Sequence, residues 1–203
     1  MKKIIKYFII SIFFILIAPF GYLSKLVYIL TKSSFLYDIF AQTFALFPGL
    51  IGTYVRAVFY KQTLKKSYLD LDIGFCSFFS KIESEVGKAV LITGHTQIGY
   101  VKIGDYAVIA NYVSILSGRY QHNFTDPSKN ITDEVDDTFN CVTIGSNSFI
   151  GDNSTVMANI GENTIVGAAS NVIKPLPSYV VAVGNPAKIV KKRASKQNIE
   201  DFV

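Results

Sequence analysis

The chain has 203 residues, half of them apolar and only 17% charged, with a mean hydropathy of +0.33. An ordinary domain carries about 25% charged residues, so global disorder is excluded and the apolar surplus needs a location beyond a plain soluble core. Two cysteines and two histidines exclude a disulfide framework and a zinc site of three histidines from one chain.

The net charge of +5 is unevenly placed. Residues 1–66 hold nine Lys/Arg and one acid, residues 67–187 six and twelve, and residues 188–203 five and two. A basic excess that brackets apolar segments suits a membrane surface, and no basic stripe interleaved with aromatics points to nucleic acid.

Residues 1–66 are expected to form apolar, membrane-associated helices. Tyr7–Ser24 and Ile39–Val55 are uncharged runs of 18 and 17 residues, near the lower limit for a spanning helix. Pro19-Phe20-Gly21 and Pro48-Gly49 are expected to break them. Lys2, Lys3 and Lys6 before Ile9–Ile17 also read as a secretory signal, but no small-x-small cleavage site follows. A buried soluble helix fits poorly, because Ile9–Ile17 is apolar all round except at Ser11. Both flanks of each run are basic, which favours a bent, re-entrant or in-plane anchor with the rest of the chain on the cytoplasmic side of the inner membrane.

Residues 67–190 are expected to form one domain, which carries a six-residue period from about residue 86. Aliphatic residues recur at Val86, Ile92 and Ile98, at Ile103, Ile109 and Ile115, at Ile144, Ile150 and Val156, and at Ile160, Val166 and Val172. A small residue usually follows, as at Gly87, Gly99, Gly104, Gly145, Gly151, Gly161 and Gly167. This period predicts an all-β domain built as a parallel β-helix, with three flat faces and about eighteen residues per coil. The aliphatic residue points inward, and the small neighbour is expected to allow the corner. The period stops over residues 118–141, a polar loop that holds His122, and long structureless connections are usually functional or disordered. Residues 191–203 read as a basic tail.

The hexads, the histidine-bearing loop and the closing signature Gly167-Ala168-Ala169-Ser170, Lys174-Pro175-Leu176-Pro177 and Val183-Gly184-Asn185-Pro186-Ala187-Lys188 together resemble the hexapeptide-repeat acyltransferases. The likeness covers roughly residues 45–193. Within that family it is most similar to the membrane-associated sugar O-acetyltransferases of capsule and O-antigen clusters, some of which carry a Pro-Gly, Arg, Tyr stretch like Pro48-Gly49, Arg56 and Tyr60. The chain departs from the family's usual pattern at Phe149, where Trp is common, at Tyr120, and in a short turn at Met157-Ala158-Asn159.

The resemblance implies a left-handed parallel β-helix, a homotrimer, and acetyl-CoA as donor with no metal. It implies acetyl transfer to a sugar hydroxyl of a glycan or lipid-linked acceptor at the membrane. That reaction needs a base near neutral pH, for which an imidazole is suited, so His122 is the candidate base. Asp126 is the candidate that orients it, with Glu134, Asp136 and Asp137 left open. Candidate donor contacts are Phe149, Gly167, Ala168, Lys174, Asn185, Pro186 and Lys188; candidate acceptor contacts are His95, Asn111 and Arg119. Cys76 and Cys141 read as structural. N-acylation of an amino-sugar and a non-enzymatic membrane scaffold are the alternatives.

Overall fold

A computed structural model describes residues 2–118 and 139–193. The chain opens with α1 (Lys2–Thr31), α2 (Phe35–Ala45) and α3 (Gly49–Thr63). α1 runs unbroken through Pro19 and Gly21, which corrects the break expected there. Pro19 deprives Ile15 of a partner for its carbonyl, but Ile15 is exposed and the helix is held from its other side by α3. Gly21 lies on that side: a Cβ there would stand 2.6 Å from Gln62 Oε1, so the glycine permits close approach of the two helices. Pro48-Gly49 does separate α2 from α3, with Gly49 at φ +64°. Among the described residues, the stretch Ser11–Thr31 of α1 is long and apolar enough to cross a membrane, at a mean hydropathy of 1.9.

The remainder is a coil of very short strands. Its first turn holds β1 (Asp72–Ile73), β2 (Phe78–Phe79) and β3 (Glu85–Val86). The second holds β4 (Leu91–Ile92), β5 (Gln97–Ile98) and β6 (Val101–Ile103). The third holds β7 (Val108–Ile109), β8 (Ser114–Ile115) and, after the loop, β9 (Val142–Ile144). The fourth and fifth hold β10 (Phe149–Ile150) with β11 (Thr155–Val156), and β12 (Ile165–Val166) with β13 (Asn171–Val172). β14 (Val180–Val183) and β15 (Lys188–Lys192) close the chain.

Equivalent strands of successive turns pair in parallel to give three faces, β1-β4-β7-β10-β12-β14, β2-β5-β8-β11-β13 and β3-β6-β9. Isolated bridges through Ile144, Ile160 and Leu176 extend the third face. All twelve aliphatic residues of the sequence period are buried in one core. The turns are uneven: Ile73 to Ile92 is 19 residues, Ile92 to Ile109 is 17, and both Ile150 to Val166 and Val166 to Ala182 are 16, against the eighteen expected. The late turns are short because the step from Val156 to Ile160, and from Val172 to Leu176, is four positions instead of six.

The corners also differ from expectation. The glycines beside the inward aliphatics do not take positive φ. They sit where the next turn passes closest: a Cβ on Gly145 would lie 2.2 Å from Glu162 N, and one on Gly161 2.3 Å from Ser178 N. The left-handed positions fall on other residues. Cys76, His95, Tyr112, Asn153 and Ala169 turn the corner from the first face to the second, and Ala89, Tyr106, Asn147, Asn163 and Tyr179 the corner from the third to the first. Asn tolerates this conformation readily. The others are held by the coil's own bonds, as where His95 N–H donates to Phe75 O at 2.8 Å. Buried hydroxyls complete the corners. Ser77 Oγ accepts from Thr96 N–H and donates to Thr93 O, and Ser148 does the same for Thr164 and Gly161, as buried backbone groups require.

The helices close the open end of the coil, where unpaired edge strands would otherwise be exposed. Arg56, 1% exposed, donates from Nε to Ile73 O at 2.8 Å and from Nη1 to Phe44 O, Ala45 O and Phe47 O at the end of α2. Tyr37 Oη donates to Phe79 O at 2.9 Å, and Phe79 N–H donates to Tyr60 Oη at 3.2 Å. Val86 N–H finds Lys66 O at 2.8 Å. Each edge strand of the first turn is therefore met by the helical segment or its connector, and Arg56 and Tyr60 are structural.

Candidate functional site

The interruption of the coil fixes where a site can form. The loop leaves after Ser117 and Gly118, past β8 on the second face, and returns at Phe139 and Asn140, ahead of β9 on the third. Asn140 N–H donates to Ser117 O at 3.0 Å, and Gly118 takes φ +88° where a Cβ would stand 2.7 Å from Asn140 Cβ. The two feet are thus pinched together. Ser117 Oγ accepts from Tyr100 N–H at 2.8 Å, which ties them to the turn below. His122, Asp126 and Arg119 lie outside the described residues.

Beside the feet runs a trough between the α1–α2 elbow and the second face. It comprises two adjoining cavities of about 380 and 430 Å³ that share Ser34, Ser80, Lys81 and Phe139. The Lys81 ammonium stands 3.4 Å from the centre of the Phe139 ring, a cation–π contact. Tyr28 Oη donates to Glu83, and Ser34 Oγ donates to Asp38 Oδ2 at 2.7 Å. These residues come from three distant segments, none of them within the sequence period. The only signal that could have led to them was the place where the repeat stops.

His95 and Asn111 stand on the corner between the first and second faces, whereas the loop leaves between the second and third. The structure therefore does not bring them to the loop feet within one chain. The His95 ring stacks on Tyr112 with centroids 4.9 Å apart and meets Phe75 edge-on at 5.7 Å. Asn111 is spent within the coil: its Oδ1 accepts from Gly94 N–H, and its N–H and Nδ2 both donate to Asp152 Oδ1. The same corner continues to Gly167 and Ala168 and ends at Asn185 and Pro186, joined by a cis peptide bond. There Asn171 Nδ2 donates to Asn185 Oδ1 at 3.3 Å. Four of the donor candidates and two of the acceptor candidates thus share one ridge. Lys174 and Lys188 are exposed beyond it. Phe149 lies apart, in an apolar outward row of the first face with Leu91, Val108, Ile165 and Val181.

Cys141 lies where the coil resumes. Burial holds its thiol above the usual cysteine range, so it is protonated at neutral pH and unsuited to nucleophilic attack. Among the described residues no three of His, Cys, Asp or Glu gather as a metal site would require.

No family model matches the chain. Short stretches are similar to curated proteins. A Saccharomyces cerevisiae protein that bears an acetyltransferase name is 42% identical over 59 residues, 28% of this chain and 30% of its own. A probable macrolide acetyltransferase of Lysinibacillus sphaericus is 44% identical over 59 residues, 28% of this chain and 33% of its own. The matches span about a third of those relatives. Among solved structures, a maltose O-acetyltransferase from Clostridium difficile 630 superposes with a TM-score of 0.69 at 22% identity, covering 82% of this chain and 89% of that one. A hexapeptide-repeat acetyltransferase from Vibrio cholerae superposes with a TM-score of 0.58 at 15% identity, covering 78% and 89%. At such identities the likeness speaks for the fold, the left-handed hexapeptide-repeat β-helix.

Proposed function

We propose that the protein is an acetyl-CoA-dependent O-acetyltransferase that acts on a sugar hydroxyl at the cytoplasmic face of the inner membrane. The observation that carries this reading is the single long interruption of a hexapeptide coil by a loop with pinched feet that holds His122. The stretches of 42–44% identity to proteins named acetyltransferases support it.

In the reaction the acceptor hydroxyl oxygen attacks the thioester carbonyl while His122 takes its proton. The tetrahedral intermediate collapses, the carbon–sulfur bond breaks, and the thiolate of coenzyme A leaves with the proton from the imidazolium. Asp126 orients the imidazole. The pantetheine arm lies along the ridge at Gly167 and Ala168, where small side chains allow approach to backbone. Lys174 and Lys188 meet the phosphates, and Asn185-Pro186 bounds the site.

The apolar outward row of the first face, with Leu91 and Phe149 37% and 39% exposed, supports association into a homotrimer. The outer side of α1, with Ile12, Ile15, Leu16, Leu26 and Leu30 exposed, supports contact with lipid, and the adjoining lysines suit an anionic surface.

The test is thiol release from acetyl-CoA by detergent-purified wild type and His122→Ala, with calorimetric titration of coenzyme A. Release by the wild type alone is expected. No release and no binding would overturn the reading in favour of a scaffold.

A further inference from the structure

We propose that the trough beside the loop feet binds the acceptor as a saccharide unit carried on a lipid; this rests on the acyltransferase reading above. Sugars present hydroxyls that both donate and accept, together with an apolar C–H face. The trough offers the complement of each. Asp38, Gln42, Gln97 and Ser114 line the larger cavity, together with the rings of Phe78 and Phe139. The side-chain amides of Gln42 and Gln97 make no hydrogen bond among the described residues, so they are available to a ligand, while Lys81 is held over the Phe139 ring. Lys32 and Lys81 are balanced by Asp38 and Glu83, a lining that suits an uncharged polyhydroxy group better than a polyanion. Both cavities fall within the volume range of small-molecule sites.

Position supplies the carrier. The larger cavity reaches Ser117 at a loop foot, and the smaller reaches Tyr28 and Lys32 at the α1–α2 elbow, where Ile29, Leu30 and Phe35 are exposed; Ser34 and Phe139 line both. A glycan seated against Gln97 and Ser114 thus has its aglycone directed to the apolar surface that the reading above places on lipid. The second face is built for this role in its outward row. Past Phe78 its residues Gln97, Ser114, Thr155 and Asn171 are polar, where the matching positions of the first face past Asp72 are apolar.

The test uses the full chain in detergent with acetyl-CoA and paired methyl and dodecyl glycosides of common hexoses and N-acetylhexosamines. Wild type is expected to acetylate at least one dodecyl glycoside, with a KM at least tenfold lower than for its methyl partner. Gln97→Ala and Asp38→Asn are expected to raise the acceptor KM at least tenfold while the KM for acetyl-CoA moves less than twofold. Glu162→Gln, an exposed position on a different corner, serves as the control and moves neither. Equal KM values for methyl and dodecyl partners would overturn the lipid carrier and leave a free saccharide as the ligand. Acceptor KM values unchanged in both trough variants, or thiol release with no glycoside acetylated, would overturn the site. If wild type neither binds nor hydrolyses acetyl-CoA, the failure is that of the acyltransferase reading.

Discussion

The junction between helices and coil rests on a few polar contacts, and Tyr60→Phe probes one of them with little other disturbance. The Tyr60 ring is fully buried and meets Phe79 edge-on with centroids 5.0 Å apart, a contact that phenylalanine keeps. Only the hydroxyl is lost. It accepts from Phe79 N–H, and Phe79 is itself fully buried on the edge strand β2, so no water replaces it. A buried donor left without a partner costs about 1–3 kcal/mol. For a chain of this length each 1 kcal/mol moves Tm by about 2–4 °C, so Tm should fall by about 4–8 °C for a cost near 2 kcal/mol. Tyr37→Phe removes the donor to Phe79 O, and a carbonyl tolerates this better, so about 1 kcal/mol is expected. Because both bonds serve one residue, the double variant should cost less than the two single variants together, by roughly 0.5 kcal/mol or more. Far-UV circular dichroism in mild detergent reads the transitions, and amide exchange at Phe79 reads the edge itself. A Tm within 1 °C of wild type for Tyr60→Phe, with Phe79 still protected, would refute the reasoning.

Gly145→Ala should destabilise the coil by about 1–3 kcal/mol or prevent its closure, because the added methyl meets the backbone of Glu162 rather than a flexible side chain; a thermal melt equal to wild type would contradict this. Glu85 adds a pH dependence. Lys65 Nζ lies 2.8 Å from its carboxylate and Lys102 Nζ 3.8 Å, and the hydrogen bond from Lys65 holds the Glu85 carboxyl below the usual range. Its contribution is therefore full above the unfolded value of about 4.3 and is lost as pH falls through the lower folded value. The Tm difference between wild type and Glu85→Gln should accordingly shrink on acidification below about pH 4. Parallel curves down to pH 2 would show that the pair adds nothing to stability.

The inward residues of the coil, its interruption, and the Pro48-Gly49 break were legible in the sequence because each is encoded locally. A side chain that must point into a narrow prism is aliphatic every sixth residue, whatever lies on the neighbouring turns, and a proline with a glycine ends a helix with no help from elsewhere. Wherever the outcome depended on a neighbour, the local rule gave way. Pro19 fails to end α1 because α3 packs along it. The glycines beside the aliphatics serve close approach between turns rather than the corners. His95 belongs to a ring stack with Tyr112 and Phe75, and Asn111 to a hydrogen-bond ladder with Gly94 and Asp152. The trough shows this dependence most fully. Tyr28, Lys81 and Phe139 meet only after the helices have capped the coil and the loop has returned, and each contributes a single side chain from a segment with no period of its own. One-dimensional repetition determined the scaffold and the Gln97–Ser114 wall of the trough, and long-range contact between unrepeated residues decided the wall that faces it.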